Sequence, residues 1–382
     1  MLYVLGILGS VFVILLCISF HEFGHLVAAK LFHVGVVEYS IGMGPSFYSK
    51  RKGDTVWSIR AIPFGGYCAM YGEESAEASA KGTSVETIEQ NKEKRFRFVK
   101  PADYKTDWTD DQKLLAKPFW QKMIIYAAGP IFNVILGALA CLISITFFAN
   151  LDVIQIESLE PNSPAVVAQL QPGDIITGIN DRETLVWMDY AEYKATHALE
   201  TKDGFNLHIL RDNEPMTVWV VEDPETGLIG MNLTEKPVDK TFSNVMLYSW
   251  DSFRYMFYSV ADTFHLLATG QAGLNDMSGV VGITAVITSA VGEMSGFAAT
   301  MSFLLYMLSL ISINLGVVNM LPLPALDGGR FLLCIFEGLF RRKVPARVEY
   351  AINAAGMMLL MVLLVYVTYN DIVKLVTGAF SL

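Results

Sequence analysis

The chain has 382 residues, of which 53% are apolar and only 17% charged, and its mean hydropathy is +0.40. Soluble domains carry about 25% charged residues, so this composition excludes an ordinary soluble enzyme and points to a membrane protein. The four cysteines, Cys17, Cys68, Cys141 and Cys334, form no close pair, which leaves neither a disulfide framework nor a cysteine metal site.

Residues 2–20, 123–149, 297–326 and 351–369 contain no charge. A spanning helix needs roughly 20 apolar residues, so four transmembrane helices are expected. The first run lacks a basic leader and a small-residue cleavage site, and is expected to be retained. It ends in His21-Glu22-Phe23-Gly24-His25, within a first segment of residues 1–33. Residues 34–72 alternate apolar and polar side chains around Gly42, Gly44, Gly53, Gly65 and Gly66, a pattern of short β-hairpins at the membrane face. Residues 73–117 are polar with few aliphatic side chains, a cytoplasmic insert on which no fixed structure is forced. The second span, within residues 118–150, opens with Pro118, Phe119 and Trp120, which suit an interfacial anchor.

Residues 151–237 are a separate α+β domain. Strands are expected at residues 153–156, 175–179, 205–210 and 216–221. Helices are expected at residues 165–170, after Ser163-Pro164, and near residues 190–199. Within residues 238–295, residues 241–268 mix apolar side chains with Asp251, Arg254, Asp262 and His265 and suit an amphipathic helix on the membrane surface. Residues 280–291 are apolar but too short to span, and read as re-entrant or interfacial. Residues 296–340 hold the third span, and residues 341–382 a basic loop and the fourth.

Charge gives an orientation. Residues 30–122 are rich in Lys and Arg, the loop before the last span carries Arg341, Arg342 and Lys343, and residues 152–239 are acidic. Basic loops stay in the cytoplasm, so the acidic domain and both termini are expected outside.

The chemistry lies in two motifs. On a helix, residues i and i+4 share a face, so His21 and His25 can reach one metal ion. Glu22 beside them is placed to take a proton from an attacking water and pass it to a leaving amine. Ionisable groups at the end of a spanning helix are functional by default. Catalytic zinc takes a third protein ligand, and Asp327 is the candidate. It follows Pro322 and Pro324, which break the third apolar run, and precedes Gly328 and Gly329, which loosen the chain. Irregular backbone at membrane depth is tolerated where it lines a cavity. The alternative is that Asp327 caps the helix that follows it.

The HExxH at His21 to His25 and the late Asn319 to Gly329 stretch together resemble the paired signatures of the site-2 proteases. Gly42-Met43-Gly44-Pro45, Phe64-Gly65-Gly66-Tyr67 and Ala128-Gly129-Pro130 with Asn133 are similar to the bacterial RseP-like branch. The resemblance implies an α-helical polytopic fold with about four transmembrane helices, a membrane-associated β region and one extracytoplasmic PDZ-like domain. It also implies Zn2+ held by His21, His25 and Asp327, and Glu22 as acid/base. Substrate contacts are implied at Asn319, at Gly42, Met43 and Gly44, and near Asn133. The PDZ-like signature departs from the family's Ala-Gly-Leu at Ala168-Gln169-Leu170. The implied activity is cleavage of transmembrane segments of single-span proteins, such as anti-sigma factors and remnant signal peptides, in a bacterial cytoplasmic membrane. Partners are those substrates, membrane lipid and a peptide at the PDZ-like domain; no nucleic acid is expected. The competing reading is a catalytically silent module that captures peptides with that domain.

Overall fold

The computed structural model describes residues 2–72, 107–185, 187–197, 201, 203–342 and 344–378. The expected polar insert lies largely outside the described residues. Among the described residues, four helices are long and apolar enough to cross a membrane: Tyr3–Leu31, Phe119–Phe147, Phe297–Asn319 and Val348–Thr377. They belong to helices α1 (Leu2–Leu31), α2 (Phe119–Phe147), α7 (Phe297–Asn319) and α9 (Ala346–Thr377). At 1.5 Å per residue, the 30 residues of α1 extend about 45 Å. The HExxH motif lies inside this helix, beginning two-thirds of the way along it.

The chain divides into two compact units. The first comprises residues 1–137, 274–295 and 307–382, the second residues 138–273 and 296–306.

In the first unit, β1 (Val36–Lys52) and β2 (Thr55–Met70) form an antiparallel hairpin bent back on itself. Tyr39 pairs with both Trp57 and Cys68, and Ile41 with both Ile59 and Gly66. The first half of β1 is thus the interior strand and residues 66–70 form an edge. Gly42 and Gly44 have φ of 82° and 83° at the bend, a conformation that glycine adopts without steric cost. Val34, Val36, Tyr39, Cys68 and Met70 from this region join Leu26, Ala29, Ile125 and Ala128 from α1 and α2 in one apolar core. The short helix α6 (Val280–Glu293) has 14 residues; Gly6 of α1 allows Thr288 of α6 to approach it closely. Helix α8 (Asp327–Phe340) follows the proline loop.

The second unit contains the expected α+β domain. Its antiparallel sheet comprises β3 (Asp152–Leu159), β4 (Ile175–Ile179), β5 (Arg182–Glu183), β6 (Phe205–Arg211), β7 (Glu214–Val220) and β8 (Met231–Pro237), ordered β7-β6-β4-β3-β8 with β5 beside β4. Phe205, Leu207 and Ile209 alternate with Asn206 and His208 along β6 and fill a core with Ile154, Ile156, Ile176 and Ile179. β8 escapes the apolar pattern because it is a polar edge strand, and β5 because it is two residues long. Helix α3 (Pro164–Val167) is shorter than expected because Gln169 turns to φ 61°. Helix α4 (Trp187–Thr196) lies near the second expected position. Helix α5 (Phe242–Thr269) begins at Thr241, whose side chain accepts the Asn244 amide at 3.2 Å, and ends at Gly270 with φ 72°. All four cysteines are buried and none is in a disulfide.

Candidate metal centre

One turn of α1 carries the two imidazoles, and α2 crosses it where both helices are small. A Cβ on Gly24 would stand 2.4 Å from the Ala128 carbonyl oxygen. A Cβ on Gly129 would stand 2.4 Å from His25 Nε2 and 2.9 Å from His21 Cε1. Small residues let apolar helices approach closely, and here the space left by Gly129 is what the imidazoles occupy. His25 Nδ1 lies 2.8 Å from the Ile125 carbonyl oxygen. His21 Nδ1 lies 3.3 Å from Asn133 Nδ2.

The third side chain arrives from the proline loop. Helix α7 stops at Asn319, and the loop turns through Ala325, whose φ is 71°. Asn353 of α9 pins the loop by accepting the Ala325 amide at 3.3 Å. Gly328 and Gly329 do not loosen the chain. Both are helical, and a Cβ on either would strike carbonyl oxygens of the loop, Leu321 at 2.2 Å and Leu323 at 2.3 Å respectively. Their smallness lets the loop fold tightly over the start of α8. Asp327 is the first residue of α8, and the N-cap position belongs to Leu326 with no side-chain cap. The Asp327 carboxylate is therefore available to the histidines.

The donors converge. His21 Nε2 lies 2.9 Å and His25 Nε2 3.2 Å from the same Asp327 oxygen, and the two nitrogens are 3.3 Å apart. Donors around a tetrahedral zinc, with bonds of roughly 2.0–2.1 Å, stand about 3.3 Å from one another. The donor set, two imidazoles and a carboxylate, is also one that zinc takes. Both histidines are buried, and the three residues are the only His/Cys/Asp/Glu cluster of this kind among the described residues.

A cavity of about 290 Å³ opens beside them, lined by Ile18, His21, Glu22, Gly65, Gly66, Leu315, Asn319 and residues 325–327. Glu22 faces it and accepts a hydrogen bond from the Cys68 backbone. Asn319 is in the wall. Asn133 is not, being fully buried against His21. Gly42, Met43 and Gly44 are also outside the lining, although Met43 reaches the wall indirectly: a Cβ on Gly65 would meet its sulfur at 2.8 Å. The sequence reading missed the clearance at Gly129, the Ile125 carbonyl and the Cys68 amide. A signal existed only for the first, in the small pair Ala128-Gly129 and the Gly24 between the histidines.

Residues 9–363 match the family model described as Peptidase family M50. The chain is 31% identical over 409 residues to the zinc metalloprotease RasP of Shouchella clausii, covering 93% of this chain and 96% of that protein. It is 31% identical over 362 residues to a Clostridium acetobutylicum protein provisionally named a zinc metalloprotease, covering 93% and 94%. A Staphylococcus aureus protein with the same provisional designation is 28% identical over 448 residues, covering 97% and 99%.

Proposed function

The chain belongs to peptidase family M50 and is a membrane zinc metalloprotease; from that premise we propose that it is an intramembrane endopeptidase of the site-2, RseP-like type. It cuts transmembrane segments of single-span proteins, membrane-bound anti-sigma factors and remnant signal peptides among them. One observation carries the reading: two imidazole nitrogens and a carboxylate oxygen meet within 3.3 Å, beside Glu22, at a cavity set among apolar helices.

His21, His25 and Asp327 hold the zinc. The His25 Nδ1–H donates to the Ile125 carbonyl, which leaves the Nε2 lone pair for the metal. With Nε2 of His21 engaged in the same way, its Nδ1 carries the proton and needs an acceptor. The Asn133 Oδ1 is buried without a partner, and turning that amide over presents it to His21. Asn133 is thus a positioning residue for His21, not a substrate contact. When bound, zinc supplies a Lewis acid that polarises the scissile carbonyl and makes water acidic near neutral pH.

Glu22 removes a proton from the attacking water and delivers it to the leaving amine. The Cys68 amide orients its carboxylate for both transfers. Asn319 offers a side-chain amide to the substrate backbone or to the developing oxyanion. A transmembrane helix must unwind before its backbone can enter this cavity. The edge strand, residues 66–70, and the bend at Gly42, Met43 and Gly44 receive it as an added strand.

Basic residues in the first connection and before the last span favour a cytoplasmic location for those loops. The acidic domain and both termini are then extracytoplasmic, in a bacterial inner membrane. The domain acts as a PDZ-like screen that admits substrates whose bulky outer portion has been removed.

The test is cleavage of a tagged single-span substrate, its outer domain trimmed beforehand, in detergent, with zinc measured in the same samples. Wild type cuts within the span; Glu22→Gln keeps zinc and loses about 10²–10⁴-fold in rate. If wild type holds zinc and cuts no trimmed substrate, the silent peptide-capture reading replaces this one.

A further inference from the structure

The hairpin of the first unit buries a charge that the catalytic chemistry does not use. Glu38 is 6% exposed on the interior strand. Its Oε1 accepts Arg60 Nη2 at 2.6 Å and also the Ser58 hydroxyl. Tyr67 adds a further hydrogen bond to the same carboxylate. Arg60 continues outward from this pair. Its Nη1 donates to the Gly44 carbonyl at 2.7 Å, and its guanidinium lies over the Tyr67 ring at 5.1 Å. One planar group thus ties together the start of β1, the glycine bend and the edge strand.

Those three parts meet the cavity. Tyr67 stands between Gly66, which lines it, and Cys68, whose amide holds Glu22. The bend is held by Arg60 through Gly44, and Met43 packs against Gly65, the other wall glycine. On the far side, the Tyr39 hydroxyl donates to the Ser19 carbonyl of α1 at 2.7 Å, two residues before His21.

A buried ion pair contributes little net stability, because desolvation offsets attraction, and apolar side chains of similar volume serve as well. A pair retained solely for stability would not need a guanidinium aimed at a backbone carbonyl of the bend. Arginine's rigid planar fork holds two acceptors at a fixed separation, which the flexible point charge of a lysine does not.

We propose that Arg60, held by Glu38, is a positioning residue for substrate: it locks residues 42–44 and residues 65–68 into one wall, so that an extended segment is received in register with Glu22. The inference rests on the intramembrane protease reading given above.

The test measures KM and kcat for the trimmed single-span substrate, with zinc content, in Arg60→Met, Arg60→Lys and Glu38→Gln of the full chain. Arg60→Met raises KM about tenfold, as expected for losing a charge-assisted hydrogen bond, with kcat within about twofold of wild type and zinc unchanged. Arg60→Lys falls between, since it restores charge without the fork. An unchanged KM in Arg60→Met overturns the proposal, as does a fall in kcat accompanied by loss of zinc, which marks plain structural support. If Arg60→Met does not fold, Glu38→Gln decides: a raised KM supports the proposal and an unchanged one ends it. Wild type that holds zinc yet cuts nothing refutes the protease reading instead, and is told apart by the control lane.

Discussion

Two buried polar clusters, one in each unit, are built in opposite ways. In the second unit the buried charges answer one another. Arg182 gives two parallel hydrogen bonds to Asp262, at 2.8 and 2.9 Å, and a third to Asp189 at 3.0 Å, between the rings of Tyr193 and Tyr258. Arg211 does the same for Asp174, at 2.7 Å from each oxygen. Opposite charges and donors in reach tie these groups to one another without any ligand. In the first unit, two imidazole nitrogens and a carboxylate oxygen converge within 3.3 Å of one another. With the His25 Nδ1 proton given to the Ile125 carbonyl, its Nε2 lone pair can turn to a cation shared with the carboxylate, and the arrangement makes sense as a receptor. Burial of polar groups alone therefore does not mark a site; the convergence of groups that can share one cation does.

The sharpest way to break this contrast is to fill the space that serves the receptor alone. Gly129→Ala puts a Cβ 2.4 Å from His25 Nε2, so the imidazole must leave. We expect zinc affinity to fall at least as far as when a supporting contact of a ligand is removed, about 10–100-fold, and cleavage with it. Hydrogen exchange in the β6 segment should not change. Retention of both zinc and cleavage would show that the imidazoles are not held as described.

The converse is Asp262→Ala. It strands Arg182, which is 8% exposed, with only Asp189 to balance it. Breaking a buried pair from one side costs about 3–5 kcal/mol, so exchange in β4, β5 and α5 should accelerate while zinc binding stays at wild-type affinity. Coupled loss of zinc would mean that the two networks are not separate.

The fold was legible where apolar periodicity dominates. The four spans and the strands β3, β4, β6 and β7 follow directly from runs and alternation, because burial in lipid or in a sheet core selects apolar side chains at those periods. The edge strand β8 carries no such selection. The candidate zinc donors were legible because HExxH is a local motif and because Asp327 sits between two prolines and two glycines. The supports of the site were not. Ile125 contributes a backbone carbonyl and Cys68 a backbone amide, and any residue type supplies those. Asn133 was visible as a polar group in an apolar helix, but only its position opposite His21 separates a positioning role from a substrate contact. Gly328 and Gly329 were read as flexible, whereas the loop carbonyls above them require their lack of a side chain.

A gentler probe uses pH. Burial raises the Glu38 carboxyl, but hydrogen bonds from Ser58 and Arg60, with the Arg60 charge, more than reverse this and leave it below its ordinary value of 4.5. A carboxyl whose folded value is depressed contributes stability that is present above the unfolded value and lost as pH falls through the folded one. Exchange in β1 and β2, corrected for the intrinsic pH dependence of amide exchange, should therefore be flat from pH 7 to about 5 and rise only on the acid side of 4.5. In Glu38→Gln the acid rise should disappear. A rise already complete above pH 5 would assign the titration to another group.

The smallest effect concerns Gln169. The PDZ-like signature has glycine at this position, and the φ of 61° explains why. A left-handed conformation costs an L-residue roughly 1–2 kcal/mol. The Gln169 carbonyl accepts Arg211 Nη2 at 2.9 Å, so the same Arg211 that neutralises Asp174 also holds the turn. A backbone acceptor survives substitution, so Gln169→Gly keeps that bond and removes the strain. Glycine also loses more backbone entropy on folding, by about 0.5–1 kcal/mol. The difference leaves a net gain of roughly 0–1.5 kcal/mol, read as slower exchange of β4 and β6 amides at unchanged zinc affinity and cleavage rate. A loss of stability would mean that the Gln169 side chain contributes a contact worth more than the strain, and that the departure from glycine is an adaptation of this domain's surface.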